Sequence, residues 1–426
     1  MSAIRTAYRL LYPLALAGAR AASLVLPKVR EAFAGRRGQG ARWEEFARGL
    51  SAPPVWFHVA SVGEFEQARP VISALERTRP DIPVMLTFSS PSGFHFARRR
   101  EKVGTGSIRF IDYLPFDRAA AMSRCLALAR PRLLVFVKFD LWPNLVWEAS
   151  SRRVPMVLID ATLSPSSRRY SAAGRILYGD LYRRIDRILA ISEEDAARFT
   201  RSAPGHAGVS VTGDTRFDRV MERWQNRPRR ALELPQDGLR TLIAGSTWPP
   251  DEARLLPAVA RLLAEDATLR FVVVPHEPLP AHVGALRRWA AEAGLAARTV
   301  SEGPARPGTR VIIVDVVGVL AEAYAGAEVA YVGGAFSTGV HSVIEPAIAG
   351  LPVVFGPRHG NSFEALQLVA RGGAAAVHDE ASTHAQLRRY LGDPGERARA
   401  GDAARAYVES QLGATEKCMA AISPYL

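Results

Sequence analysis

From residue 54 onward, short runs dominated by Val, Ile, Leu and Phe alternate with longer stretches in which apolar residues recur at helical spacing. Uninterrupted apolar runs of strand length suit a sheet covered on both faces, and their alternation with helices is the pattern of βα units on a parallel sheet. The pattern predicts strands over 55–59, 83–88, 133–137, 155–159, 187–191 and 209–212, with helices over 64–77, 118–129 and 193–200 among them. Near residue 226 the rhythm stops, and Arg227-Pro228-Arg229-Arg230 followed by Leu234-Pro235 reads as a linker. A second series then predicts strands over 241–244, 270–274, 310–314, 329–332 and 352–355. From about Asp393 the chain is Ala- and Arg-rich and helical, and is expected to pack back across the linker. No repeat of fixed period is present, which argues against a solenoid. The architecture this predicts is α/β: two doubly wound Rossmann-like domains facing a central cleft at the carboxyl ends of both sheets, where open α/β folds bind ligands. The expected bounds are 36–225 for the first domain, 226–237 for the linker, 238–395 for the second domain, and 396–426 for helices crossing back.

Ahead of this series, residues 10–19 are uncharged and apolar, while Arg5, Arg9, Arg20, Lys28 and Arg30 flank or interrupt the segment. Ten such residues are too few for a confident span. Residues 1–35 read better as a membrane-associated segment lying on an anionic surface. The competing readings are a short secretory signal, since Ala15, Ala17 and Ala19 resemble a cleavage site, a true anchor, and an ordinary packing helix.

Composition narrows the picture further. A chain of 426 residues exceeds what one core usually organises, in agreement with two domains. The two cysteines, Cys125 and Cys418, are far apart and lack metal-ligand spacing, so neither a disulfide framework nor a zinc site is expected. The net charge of +13 suits nucleic acid, anionic lipid or a negatively charged small substrate. No basic patch interleaved with aromatics and no nucleic-acid fold signature is present, so nucleic acid is not an expected partner.

The candidate chemistry lies where predicted strands meet helices. After the first strand, Ser61-Val62-Gly63-Glu64 makes a glycine turn into a helix. Glu64 there either matches the helix dipole or, at the mouth of a cleft, accepts a proton from an attacking hydroxyl. Lys138 and Asp140, two residues apart after the 133–137 strand, form an ordinary ion pair or face the same cleft. In the second domain Gly245-Ser246-Thr247-Trp248-Pro249 offers amides and hydroxyls for phosphate oxygens, or is a simple capped turn. His276 sits at the end of the next strand. The strongest pattern runs from Tyr331 to Pro346: a strand, a glycine-rich loop through Gly333-Gly334, then His341 and Glu345 at i, i+4 on one predicted helical face. Glycines suit close approach to a phosphate, and a carboxylate one turn on suits ribose hydroxyls; zinc is disfavoured because no third ligand has suitable spacing. Phe355-Gly356-Pro357-Arg358-His359-Gly360-Asn361 supplies a further polar strand-to-helix turn that closes the expected nucleotide pocket.

In their joint order these motifs resemble the Kdo transferase family, glycosyltransferases that place 3-deoxy-manno-octulosonic acid (Kdo) on lipid A precursors. The resemblance takes in the basic apolar amino terminus, His58 through Glu64, Leu141-Trp142-Pro143-Asn144 and Ser192-Glu193-Glu194-Asp195. It continues through Thr212-Gly213-Asp214-Thr215-Arg216-Phe217-Asp218, Gly245-Ser246-Thr247, Gly333 to Glu345, and Phe355-Gly356-Pro357. It implies a GT-B fold and an inverting transfer from CMP-Kdo to lipid IVA, with no required metal and no cofactor, at the cytoplasmic face of the inner membrane. Glu64 matches the family's catalytic base; Ser61, Gly63, Lys138 and Asp140 are implied on the acceptor side. Ser246, Thr247, His276, Gly318, Gly334, His341, Glu345 and Asn361 are implied around the donor, Glu345 at the ribose. Departures are Lys138-Phe139-Asp140 where many members carry Glu-Thr-Glu, Trp248 in place of a frequent histidine, and Pro275 in place of a frequent arginine. Another GT-B sugar-nucleotide enzyme, a UDP-sugar transferase or epimerase, is the alternative because the glycine loop and ribose carboxylate are shared architecture.

Overall fold

Fourteen strands, β1 to β14, are seen among the described residues of the computed structural model: residues 3–101, 103, 106–227, 234–235 and 237–426. They fall into two parallel seven-stranded sheets. By its contacts the chain divides into one unit of residues 1–219 with 412–426, and a second of residues 220–411.

In the first unit the strands are β1 (Val55–Val59), β2 (Val84–Phe88), β3 (Ile108–Tyr113), β4 (Leu133–Val137), β5 (Met156–Ala161), β6 (Arg187–Ala190) and β7 (Val209–Val211), in the order β3-β2-β1-β4-β5-β6-β7. Alternate residues of each strand feed opposite cores. Trp56, Phe136 and Leu158 join Trp43 and Trp147 on one face, while Phe57, Val135 and Val157 join Phe65, Leu75 and Cys418 on the other. Double coverage explains why these strands are largely apolar, with polar exceptions such as His58, Thr87 and Asp160.

The second unit holds β8 (Arg240–Thr247), β9 (Leu269–Pro275), β10 (Ala297–Thr299), β11 (Val311–Ile313), β12 (Val329–Val332), β13 (Val353–Phe355) and β14 (Ala374–Ala376), ordered β10-β11-β9-β8-β12-β13-β14. Its two cores alternate in the same way, Leu242 and Ala244 facing Leu255 and Leu387, Ile243 facing Tyr324.

The expected linker lies partly outside the described residues, at 228–233 and 236. Two boundaries differ from expectation: the first unit ends at 219, not 225, and the returning segment begins at 412, not 396. Helix Pro394–Ser410 stays with the second unit, because Gly401 lets it seat on Gly350, where a Cβ would come within 2.1 Å of the carbonyl oxygen. Only the last segment joins the first unit: helix Ala414–Ile422 starts where Asp218 accepts the Gly413 and Thr415 amides at 2.8 and 2.6 Å, and its Cys418 and Ile422 enter the core.

Helix Ala3–Ala22 is tied to the first unit by polar side chains. Arg5 and Arg9 reach Glu148, Arg9 Nε donates to Asn144 at 3.1 Å, and the Tyr8 hydroxyl donates to the buried Asp117 carboxylate at 3.0 Å. Leu10, Leu11 and Leu14 remain 68, 63 and 69% exposed, and Leu24, Val25 and Leu26 are exposed in the turn that follows. Among the described residues no single helix is long and apolar enough to cross a membrane; the bent pair Ala3–Ala22 and Pro27–Arg48, at 118°, reaches that length and composition only together.

Candidate functional site

In the first sheet the strand order reverses at β1, with β2 on one side and β4 on the other, and such a switch point leaves a crevice beyond the strand ends. Both sequence candidates of this unit lie there. Ser61 caps helix Val62–Thr78, its Oγ accepting the Glu64 amide at 3.4 Å, and the Glu64 carboxylate turns back so that Oε2 accepts the Ala60 amide. Glu64 is only 5% exposed. Burial raises its pKa above the ordinary carboxylate value; the Ala60 amide opposes this, Asp140 adds to it, and the charges of His58 and Lys138 oppose it. Gly63 is exposed, and an added Cβ would meet nothing nearer than Ser61 Oγ at 3.9 Å.

Asp140 forms no ion pair with Lys138. Its Oδ2 instead takes His58 Nε2 at 3.1 Å, the Ser89 hydroxyl at 2.9 Å and the Trp142 indole at 3.1 Å. Burial alone would raise this carboxyl, but these bonds and the His58 charge together hold it below its ordinary value. The Trp56 indole donates to Thr87 Oγ1 at 2.8 Å, so that hydroxyl can pass its own proton to His58 Nδ1 at 2.9 Å. Because an ionised carboxylate can only accept, His58 Nε2 carries the proton of its bond to Asp140. Lys138 lies in the left-handed region at φ 64°, its ammonium 5.4 Å from the Phe139 ring centroid. Asp160 at the end of β5 and Ser246 in the second unit share such backbone, with φ 49° and 53°. Non-glycine residues held there store strain of about 1–3 kcal/mol each and concentrate at functional sites.

The second sheet switches at β8, between β9 and β12. Here the two strand ends nearly touch: a Cβ on Gly333 would lie 2.3 Å from Ser246 O, and one on Gly334, at φ 94°, 2.3 Å from Gly339 O. Asp251, fully buried, holds this loop. Its Oδ2 accepts the amides of Gly334 at 2.8 Å and Trp248 at 3.1 Å, and its Oδ1 accepts Phe336 N at 3.1 Å. The half-buried Ser246 hydroxyl has no partner among the described residues. Thr247 differs from expectation as a hydroxyl contact, since its Oγ1 donates to Glu252 at 2.7 Å and is buried.

His341 and Glu345 do not share a helical face. The helix is Ile344–Ile348, because Pro346 has no N–H and its ring would clash with the carbonyl of residue 342 in a helix begun earlier. His341 turns toward Trp248 and His276, whereas Glu345 accepts the Ser342 hydroxyl and lines a pocket with Arg223, Trp224, Arg227 and Glu322. Asn361 pairs with both polar groups of Val340, at 3.1 Å each, and so braces the loop. Gly318, at φ 90°, is an exposed turn glycine with open space around its Cα. The donor candidates therefore form one group at Ser246, Gly334, His276 and His341, and another at Glu345.

Sequence reasoning missed Ser89 and Asp251. Each had a signal: Ser89-Ser90-Pro91 repeats the strand, serine, helix pattern, and Asp251 stands three residues after the cap Trp248 with proline at the first helical position.

The chain matches the family model described as 3-Deoxy-D-manno-octulosonic-acid transferase (kdotransferase) over residues 31–219. It is 31% identical over 409 residues to the 3-deoxy-D-manno-octulosonic acid transferase of Bordetella pertussis, covering 92% of this chain and 94% of that protein. With the transferase of Haemophilus influenzae it shares 27% identity, covering 95% and 93%. Among solved structures it is similar to a UDP-GlcNAc 2-epimerase from Neisseria meningitidis bound to UDP-GlcNAc, with a TM-score of 0.64 at 13% identity over 87% of this chain and all of that one. At that identity the likeness speaks for a GT-B-type fold of two Rossmann-like units.

Proposed function

The chain belongs to the 3-deoxy-D-manno-octulosonic acid transferase family of glycosyltransferases, and on that premise we propose that it moves Kdo from CMP-Kdo to a sugar hydroxyl of a lipid A precursor, with Glu64 as the general base. The observation that carries this is the Glu64 carboxylate: buried at the switch point of the first sheet, oriented by the Ala60 amide, and raised toward the pH range where a base is useful. Glu64 takes the hydroxyl proton as the acceptor oxygen forms a bond to the anomeric carbon. The bond from that carbon to the phosphate oxygen breaks on the opposite face, and CMP leaves with the electron pair. Asp140, fixed by three donors, and Lys138 shape the field around the base. On the donor side, the Ser246 hydroxyl and the glycine loop suit the phosphate and acid groups, and Glu345 in its arginine-containing pocket suits the ribose.

The same reading puts the protein on the cytoplasmic face of the inner membrane. Support comes from the exposed Leu10, Leu11, Leu14, Leu24, Val25 and Leu26, which accompany Arg20, Lys28 and Arg30 in sequence. Leu→Ser changes at 10, 11 and 14 are expected to lower cosedimentation with anionic vesicles without shifting the thermal transition; unchanged partitioning refutes the attachment.

The central test is transfer from freshly generated CMP-Kdo to tetraacylated lipid IVA, followed by mass spectrometry. Glu64→Gln keeps a side-chain oxygen for the Ala60 amide but removes the base, so turnover is expected to fall by about 10²–10⁴ with CMP affinity retained. Near-wild-type turnover would exclude Glu64 as the base.

A further inference from the structure

Three aromatic side chains stand beside the glycine loop of the second unit. His276 stacks on Trp248 with ring centroids 4.7 Å apart and planes 29° apart, and on His341 at 4.3 Å and 11°. Trp248 and His341 also meet each other, with indole Nε1 2.9 Å from imidazole Nε2. An indole N–H can only donate, so Nε2 of His341 must accept, and the ring proton belongs on Nδ1. Nδ1 has no partner among the described residues. The ring lies against the loop itself: a Cβ on Gly334 would come within 2.8 Å of His341 Cδ2.

We propose that Trp248 is a positioning residue that holds His341 as the neutral Nδ1–H tautomer, so that the ring offers a fixed hydrogen-bond donor, not a titrating cation, to an anionic group of the sugar nucleotide. The inference rests on the donor-site reading above. The ionisable groups facing the ring are His276 at the end of β9 and Asp251 in helix Pro249–Glu265, whose carboxylate is already engaged by three amides. On the adjoining loop, Arg254 lies over Phe336 and Arg358 donates to Ser337 O. Burial acts with His276, against Asp251, to keep His341 below the ordinary imidazole range, so a neutral donor persists where a free histidine would begin to charge.

The lock is read directly in full-length protein with nitrogen-15 histidine, the His341 signals being assigned by their loss in His341→Ala. The expected wild-type spectrum has Nδ1 protonated and Nε2 bare at neutral pH, with the ring charging at lower pH than a free histidine. Trp248→Phe keeps a ring on His276 but removes the N–H; Trp248→Leu is the second variant should Phe disturb the packing. In either, His341 is expected to populate both tautomers and to titrate at higher pH than in wild type. The KM for CMP-Kdo should rise about fivefold and become pH-dependent, with kcat little changed. A protonated Nε2 in wild type, or a tautomer and titration unaltered in both variants, overturns the lock. A released tautomer with unaltered donor KM, together with full CMP affinity in His341→Ala, overturns the donor-site premise and with it the role.

Discussion

Asp251 gives the sharpest test of how the donor loop is built, through the nearly isosteric change Asp251→Asn. The carboxylate accepts three amides, from Trp248, Gly334 and Phe336, at 3.1, 2.8 and 3.1 Å, and is fully buried. An asparagine oxygen in place of Oδ2 can keep the first two. Its amide nitrogen in place of Oδ1 then points N–H at N–H, leaving the Phe336 donor unpaired. One lost charge-assisted bond is worth about 1.5–3 kcal/mol and an orphaned donor about 1–3, partly offset by no longer burying a charge. A net loss of about 3 kcal/mol follows, which for a unit of this size lowers its thermal transition by about 6–12 °C. Differential scanning calorimetry reads the shift, and CMP titration reads the loop: added CMP should recover part of the loss, with weaker affinity than in wild type. A transition within about 1 °C of wild type and unchanged CMP affinity would show that the carboxylate does not hold the loop.

Further expectations concern the base and the two glycine turns. Because Lys138 pulls the Glu64 pKa down, Lys138→Met should raise it and move the acidic limb of the kcat/KM profile to higher pH; an unmoved limb removes Lys138 from the field of the base. Glu64 has a raised folded pKa, so its contribution to stability is fully present below the ordinary carboxylate value and is lost as pH rises through the folded value. Glu64→Gln should therefore stabilise the protein near neutral pH and not in acid, and denaturant melts at both pH values check the sign. Gly333→Ala drives a Cβ to 2.3 Å from Ser246 O and should destabilise the second unit by about 1–3 kcal/mol or more. Gly63→Ala meets open space, so the thermal transition should hold or rise while acceptor KM increases; equal melting losses for the two would refute the steric distinction.

The interior strands were readable in the chain to within a few residues at their ends. Val55–Val59, Leu133–Val137 and Val329–Val332 coincide with expectation because a strand covered on both faces is apolar at most of its positions. Three strands went unread, Ile108–Tyr113, Ala297–Thr299 and Ala374–Ala376, and all are sheet edges. An edge strand has one ladder and less burial, and the last two are short pieces of alanine, arginine and threonine that carry little strand preference. The turns were equally local: Ser61 and Glu64 cap a helix with atoms a few residues apart, so their spacing alone announces them. What the chain could not announce is which side chains from different strands meet. His58, Ser89 and Asp140 come together because β1 lies between β2 and β4, and Trp248 meets His341 because β8 lies beside β12. Local composition is set by burial and backbone preference, which act within a few residues. Strand order is set by the packing of whole sheets, and only that brings Trp248 and His341, 93 positions apart, within one hydrogen bond.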